Sequence, residues 1–143
     1  MKRLISLLSL LVLFSSVSLA EEYLGNLSNN QFAPNSTANQ FGAGNPYGNT
    51  VNNPYGQYGN QFSNKSVNNP YATDAPKLYD SQGNYRGKLS TNQFDPDSVS
   101  NPYGRYGNKF SPDSINNPFG AGNQFNPDSP NNPYGNGLKI IGQ

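Results

Sequence analysis

Twelve times between residues 30 and 134 the chain reads Asn, then Pro, Gln or Lys, then Tyr or Phe, and this triplet constrains the fold more than any other feature. A Pro or Gly every few residues denies a long helix its backbone donors and its propensity. The aromatics stand at Phe32, Phe41, Tyr47, Tyr55, Phe62 and Tyr71, and again at Phe94, Tyr103, Phe110, Phe119, Phe125 and Tyr134. Matching members of the two sets lie 62 to 64 residues apart, so the chain is a duplication and not drifting low-complexity sequence.

The duplication extends past the triplets. Tyr23-Leu24-Gly25-Asn26-Leu27-Ser28 opens the first unit as Tyr85-Arg86-Gly87-Lys88-Leu89-Ser90 opens the second, and Lys77-Leu78-Tyr79 closes the first as Lys139-Ile140-Ile141 closes the second. A period near 60 is long for a solenoid repeat, and two copies are too few to build an open array. The expected organisation is a signal segment at 1–20 and two pseudo-symmetric halves at 21–80 and 81–143, together one domain.

Residues 1–20 have the form of a secretory signal peptide: Lys2 and Arg3, an apolar run from Leu4 to Phe14, and Ser18-Leu19-Ala20 at a cleavage site. The run is too short to span a bilayer, which needs about 20 apolar residues. A secreted or periplasmic protein with no membrane anchor after cleavage is therefore expected. The sequence contains no Cys, so neither lipidation at such a site nor a disulfide framework is available. Without Lys2 and Arg3, seven basic residues face eight acidic ones, a poor match for a phosphate backbone, so nucleic acid is not an expected partner.

Within each triplet the chemistry is that of a type I turn. In Asn45-Pro46-Tyr47-Gly48, Asn101-Pro102-Tyr103-Gly104 and Asn117-Pro118-Phe119-Gly120, Asn at the first position can accept the N–H two residues on. Pro presets φ at the second position and Gly suits the fourth. Gln or Lys in the middle position, as in Asn30-Gln31-Phe32 and Asn108-Lys109-Phe110, should loosen its turn. A second turn motif follows several Phe residues: Asp95-Pro96-Asp97-Ser98, Ser111-Pro112-Asp113-Ser114 and Asn126-Pro127-Asp128-Ser129. Ordinary strands are expected only at the unit ends, around 23–27, 77–79, 85–89 and 138–141, with Asp80-Ser81-Gln82-Gly83-Asn84 as the loop of a hairpin. The fold class is thus mostly irregular and turn-rich with minor β, and little or no helix after the signal peptide.

Few aliphatic side chains remain to form a core. The triplet rings are the most abundant apolar groups, so they are expected to turn inward; the alternative is a row of exposed Tyr and Phe that makes a binding face for sugars, peptides or wall polymer. Tyr58 and Tyr106, in the extra steps Gly56-Gln57-Tyr58-Gly59 and Gly104-Arg105-Tyr106-Gly107, are left as the surface aromatics that could contact a ligand. The repeated Asp residues lack the Gly and the distant bidentate acid of a calcium loop, and no His or Cys is present to serve as base or nucleophile. No metal, cofactor or catalytic residue is assigned, and an enzyme is not expected.

The units Asn-Pro-Tyr-Gly, Gly-Arg-Tyr-Gly and Phe-Ser-Pro-Asp-Ser-Ile-Asn-Asn-Pro-Phe-Gly at 110–120 resemble a pattern in short exported bacterial proteins of unknown function, over nearly the whole chain after residue 20. That resemblance implies a bacterial envelope or extracellular setting and carries over no activity. The resulting expectation is a non-enzymatic structural or binding protein, its partner an envelope polysaccharide or protein. A disordered adhesive matrix polymer and a carbohydrate or cell-wall binding module are the alternatives.

Overall fold

The computed structural model describes residues 20–143, so the signal peptide expected at 1–20 lies, except for Ala20, outside the described residues. Among the described residues four strands occur: β1 Glu22–Leu27, β2 Lys77–Tyr79, β3 Tyr85–Lys88 and β4 Leu138–Gly142. They fall at the four unit ends where short apolar alternation predicts them. In β4 Leu138 and Ile140 are buried while Lys139 between them is exposed, the period of two that a sheet with one covered face requires. Among the described residues no helix forms.

The strands make one antiparallel sheet in the order β1-β4-β2-β3. β2 and β3 form the expected hairpin. Its loop is closed by the Asp80 N–H on the Asn84 carbonyl (3.0 Å) and by Gly83, whose φ of 83° lies in the left-handed region that glycine enters without strain. Each edge strand is bonded at one residue to the turn beside it. The N–H of Asn26 in β1 donates to Asn35 O (2.6 Å) and Thr37 N–H donates to Asn26 O (2.9 Å), while Lys88 of β3 makes the same pair of bonds with Asp97 and Val99 (2.8 and 3.0 Å). A bonded residue in each edge strand interrupts the template that an open edge offers another chain.

The stretches between the strands are not loose loops. Backbone N–H groups bond the carbonyl three residues back at intervals of three residues, from Ser36 through Asn39 and Gly42 to Asn45. The same chain of bonds runs from Ser98 to Gly104, and resumes at Ser111 to reach Gly135. Along these runs each turn ends where the next begins.

Asparagine amides then tie one pass of the chain to the next. Asn52 Nδ2 donates to Thr37 O, Asn116 Nδ2 to Val99 O and Asn131 Nδ2 to Ile115 O, across 15, 17 and 16 residues (3.0, 2.9 and 3.1 Å). The interior of these passes is narrow. It holds Ser28, Ser36, Ser66, Ser90, Ser98, Ser114 and Ser129, all buried, whose hydroxyls accept the N–H two residues on; Ser36 and Ser98 also donate to Ser28 O and Ser90 O. A buried hydroxyl is costly unless it is bonded, and every buried side-chain polar atom among the described residues has a partner.

Glycine fits the same space. A Cβ at Gly59, Gly107 or Gly122 would overlap the carbonyl oxygen of Asn53, Asn101 or Ile115, so only hydrogen fits between adjacent backbones. One apolar cluster joins Leu24, Val51, Tyr58, Val67 and Leu78 to Val99, Tyr106, Leu138 and Ile140, drawing on both sequence units.

Candidate binding surface of outward rings

The expectation that the triplet rings form the core is overturned. All twelve point to solvent, from 78 % exposed at Phe110 to 94 % at Tyr103. The cause is local. In each triplet the Asn Oδ1 accepts the N–H of the aromatic residue, at 2.9 to 3.1 Å in all twelve, which fixes the ring position on the outside of the turn. The Asn amide faces inward; Asn101 and Asn117 donate from Nδ2 to Asp95 O and Ser111 O (3.1 and 3.0 Å). Gln and Lys in the middle position do not loosen the bond, since Asn30 to Phe32 and Asn108 to Phe110 measure 3.1 and 2.9 Å.

The turn residues Asn45, Asn101 and Asn117 all make this bond, with Pro46, Pro102 and Pro118 exposed at the second position. The glycines differ in role from the expected one. Gly48, Gly104 and Gly120 all lack a left-handed φ. At Gly104 and Gly120 a Cβ would come within 2.6 Å of Pro96 O and Pro112 O, whereas at Gly48 it would meet only the Thr50 methyl at 3.4 Å. Close backbone approach, not turn conformation, selects glycine at 104 and 120.

Tyr58 and Tyr106, expected at the surface, are buried at 1 % and 7 % exposure. Each has Gly in place of Asn two residues earlier, so no Asx bond turns it out, and each ring lies on a strand glycine: Tyr58 against Gly142, Tyr106 against Gly87. The Tyr58 hydroxyl reaches Glu22 Oε2 (3.2 Å) and Gln143 O (3.3 Å), and burial followed by the Glu22 carboxylate pushes its pKa up to about 12. Tyr85 donates to Asp97 Oδ2 (3.0 Å) and stacks edge-on with Tyr106; desolvation and Asp97 raise its pKa as well.

Successive outward rings wall shallow grooves. One of about 610 Å³ lies between Tyr55 and Phe62, one of about 430 Å³ between Phe62 and Tyr71, and two of about 520 and 510 Å³ between Phe110, Phe119 and Phe125. Besides Lys109, their remaining lining is Pro, Gly, Gln and Asn: the triplet residues Asn60, Asn69, Asn117 and Asn123, together with Asn68, Asn116 and Asn131. Lys109, over the Phe110 ring at 5.1 Å, is the one charged residue that lines these four. Asn68, Asn116 and Asn131 were not singled out by the sequence reading. The signal that could have found them is the Asn preceding the triplet Asn in Asn-Asn-Pro-Tyr/Phe.

Charge is gathered elsewhere. Arg86 bridges Asp80 (2.9 Å) and Asp113 (3.2 Å), Arg105 also holds Asp113 (2.7 Å), and Lys88 holds Asp95 (3.0 Å). Burial alone would raise the Asp80 pKa, but bonds from Asn84, Arg86 and Gln82 outweigh it and hold the carboxyl below its ordinary range. Among the described residues no group of three acidic, His or Cys side chains is placed to hold a metal, and no helix is long and apolar enough to cross a membrane. Compared with family models, curated proteins and solved structures, the chain matches none.

Proposed function

We propose that this is a non-enzymatic, exported binding protein of the bacterial envelope or extracellular space, whose outward rings grip an extended, uncharged polymer, a glycan above all. One observation carries this reading: twelve large aromatic side chains stand in water on ordered turns, each held out by its own Asx bond. Exposed aromatic surface on this scale marks interaction sites. A ring face takes the apolar face of a sugar, and the Oδ1 atoms of Asn68, Asn116 and Asn131, whose Nδ2 groups are spent on backbone carbonyls, supply polar groups to orient a ligand in such a groove. The near absence of charge along the grooves favours a neutral partner over an acidic one.

The array belongs to one domain of two pseudo-symmetric, turn-rich halves, 21–80 and 81–143. Support comes from the middle of the sheet. Lys77 faces Ile141, Leu78 faces Ile140 and Tyr79 faces Lys139, so exchanging residues 62 apart returns the same pairs. The isolated bridges Asn26 to Ser36 and Lys88 to Ser98 repeat at the same interval.

Retention on insoluble peptidoglycan, chitin and cellulose tests the reading. The native protein is expected to be retained on at least one of them. Alanine at Tyr55, Phe62 and Tyr71 together should weaken retention about a hundredfold, at roughly 1 kcal/mol per ring. No retention on any polymer sinks the glycan reading. Aromatic-driven self-adhesion, the second reading favoured by the same exposed rings, would then show as concentration-dependent association abolished by the same triple substitution.

A further inference from the structure

One of the places where the two units differ by a single residue lies just before the fifth triplet. Gly56-Gln57-Tyr58-Gly59 precedes Asn60-Gln61-Phe62, but at the matching place before Asn123-Gln124-Phe125 the chain reads Gly120-Ala121-Gly122, one residue shorter and without the tyrosine. In the first unit Tyr58 fills the space over the sheet. A Cβ on Gly142 would lie 2.5 Å from its ring, and its hydroxyl reaches the Glu22 carboxylate. The residue 62 positions before Gly142 is Asp80. Around Asp80 and Ala121 the space is open, as a cavity of about 280 Å³.

We infer that this cavity is a binding site for a phenol ring supplied from outside the chain, in the place that Tyr58 fills in the first half. The inference rests on the two-half reading given above but not on glycan binding. The volume is at the small end for ligand pockets, suited to a single ring and not to a chain of them. Ile115, Leu138 and Ala121 supply apolar walls, as a ring requires. Asp80, Asp113 and Asp128 supply carboxylate oxygens, the same acceptor that Glu22 offers the Tyr58 hydroxyl. Each of these carboxylates is already held, Asp80 and Asp113 by Arg86 and Asp128 by the Ser81 hydroxyl (2.9 Å), so the site is fixed in shape before a ligand arrives. Arginines pair the charges of Asp80 and Asp113, which suits a neutral hydroxyl donor at those two carboxylates better than a cation.

The probe is p-cresol, the tyrosine side chain as a free molecule. Titrated into the full mature chain, it should give saturable shifts in the amide resonances of Asp80, Ile115, Ala121 and Leu138. Ala121→Phe, which places a ring in the cavity from within, should weaken those shifts at least about tenfold. Insertion of a tyrosine between Ala121 and Gly122, which recreates the first unit's spacing, should do the same and should raise the melting temperature, so misfolding of either variant is told apart from blocked binding. Absence of saturable shifts in the native protein overturns the inference. So does cyclohexane-1-methanol, with no phenolic donor, binding as tightly as p-cresol. If p-cresol also dissolves a concentration-dependent oligomer of the native protein, the natural ring is an exposed tyrosine of a second copy; if the native protein is monomeric throughout, it is a small phenolic compound. Polysaccharide retention measured on Ala121→Phe, whose position lines none of the ring grooves, should be unchanged, so this site and the glycan reading can fail separately.

Discussion

Tyr55 and Tyr58 stand three residues apart, one in water and the other almost wholly buried, and the contrast shows what decides the fate of a side chain here. Hydrophobicity does not, since the residue type is the same. Asn53 two positions before Tyr55 captures its N–H and sets the ring outside the turn; Gly56 before Tyr58 has no such acceptor, and the ring falls onto Gly142. The same contrast separates Tyr103 from Tyr106. A protein poor in aliphatic residues has thus kept its triplet rings outside and built its interior from serine, glycine, a few leucines and valines, Ile140 and two tyrosines.

The contrast can be broken first at the glycines. Gly59→Ala, or Gly107→Ala, puts a methyl on a backbone carbonyl that cannot retreat, and should destabilise by about 3 kcal/mol or more. Gly48→Ala, in open space, should stay within about 0.5 kcal/mol. Urea unfolding of the three variants measures this; equal effects would mean the adjacent passes are not in contact.

Next come the tyrosines themselves. Tyr58→Ala should cost about 3 to 5 kcal/mol through the cavity it leaves, and Tyr55→Ala at most about 0.5 kcal/mol. A similar loss for both would contradict their opposite placement. Asn101→Ala removes both the Tyr103 N–H acceptor and the amide bond to Asp95 O, for an expected loss of about 1 to 2 kcal/mol, read by thermal unfolding.

The smallest effect is one of pH. Tyr58 and Tyr85 have raised folded pKa values, so the folded state favours their neutral form. Their contribution is intact below the unfolded value of 10.0 and is lost as pH rises from there toward about 12 for Tyr58. Tyr58→Phe should flatten that alkaline loss. Asp80, with a lowered pKa, acts in the opposite sense: its contribution is present above 3.8 and disappears as pH falls below it, and Asp80→Asn should flatten the acid limb.

Much of the frame was legible in the sequence. The four strands, the hairpin at 80–84 and the Asx bond of each triplet follow from short apolar alternation and from Asn-Pro chemistry, both of which are local. The ring orientation was not legible from composition, because counting apolar groups assigns the most abundant ones to the core. What sets the interior is its width, and that depends on passes of the chain 15 to 17 residues apart lying against each other. The shorter period is written in Ser36, Thr50 and Ser66, and in Ser98, Ser114 and Ser129, each three residues before a triplet Asn. The longer duplication at 62 residues masks it. Tyr58 and Tyr106 were misplaced for the same reason: they were read as extra rings, when the missing Asn marks them as inward.

Ring exposure itself can be measured with a soluble paramagnetic agent in an NMR experiment on the mature protein. The twelve triplet rings should all broaden strongly, while the ring protons of Tyr58 and Tyr106 remain sharp. Uniform broadening of every aromatic ring, or protection of the triplet rings, would contradict the account.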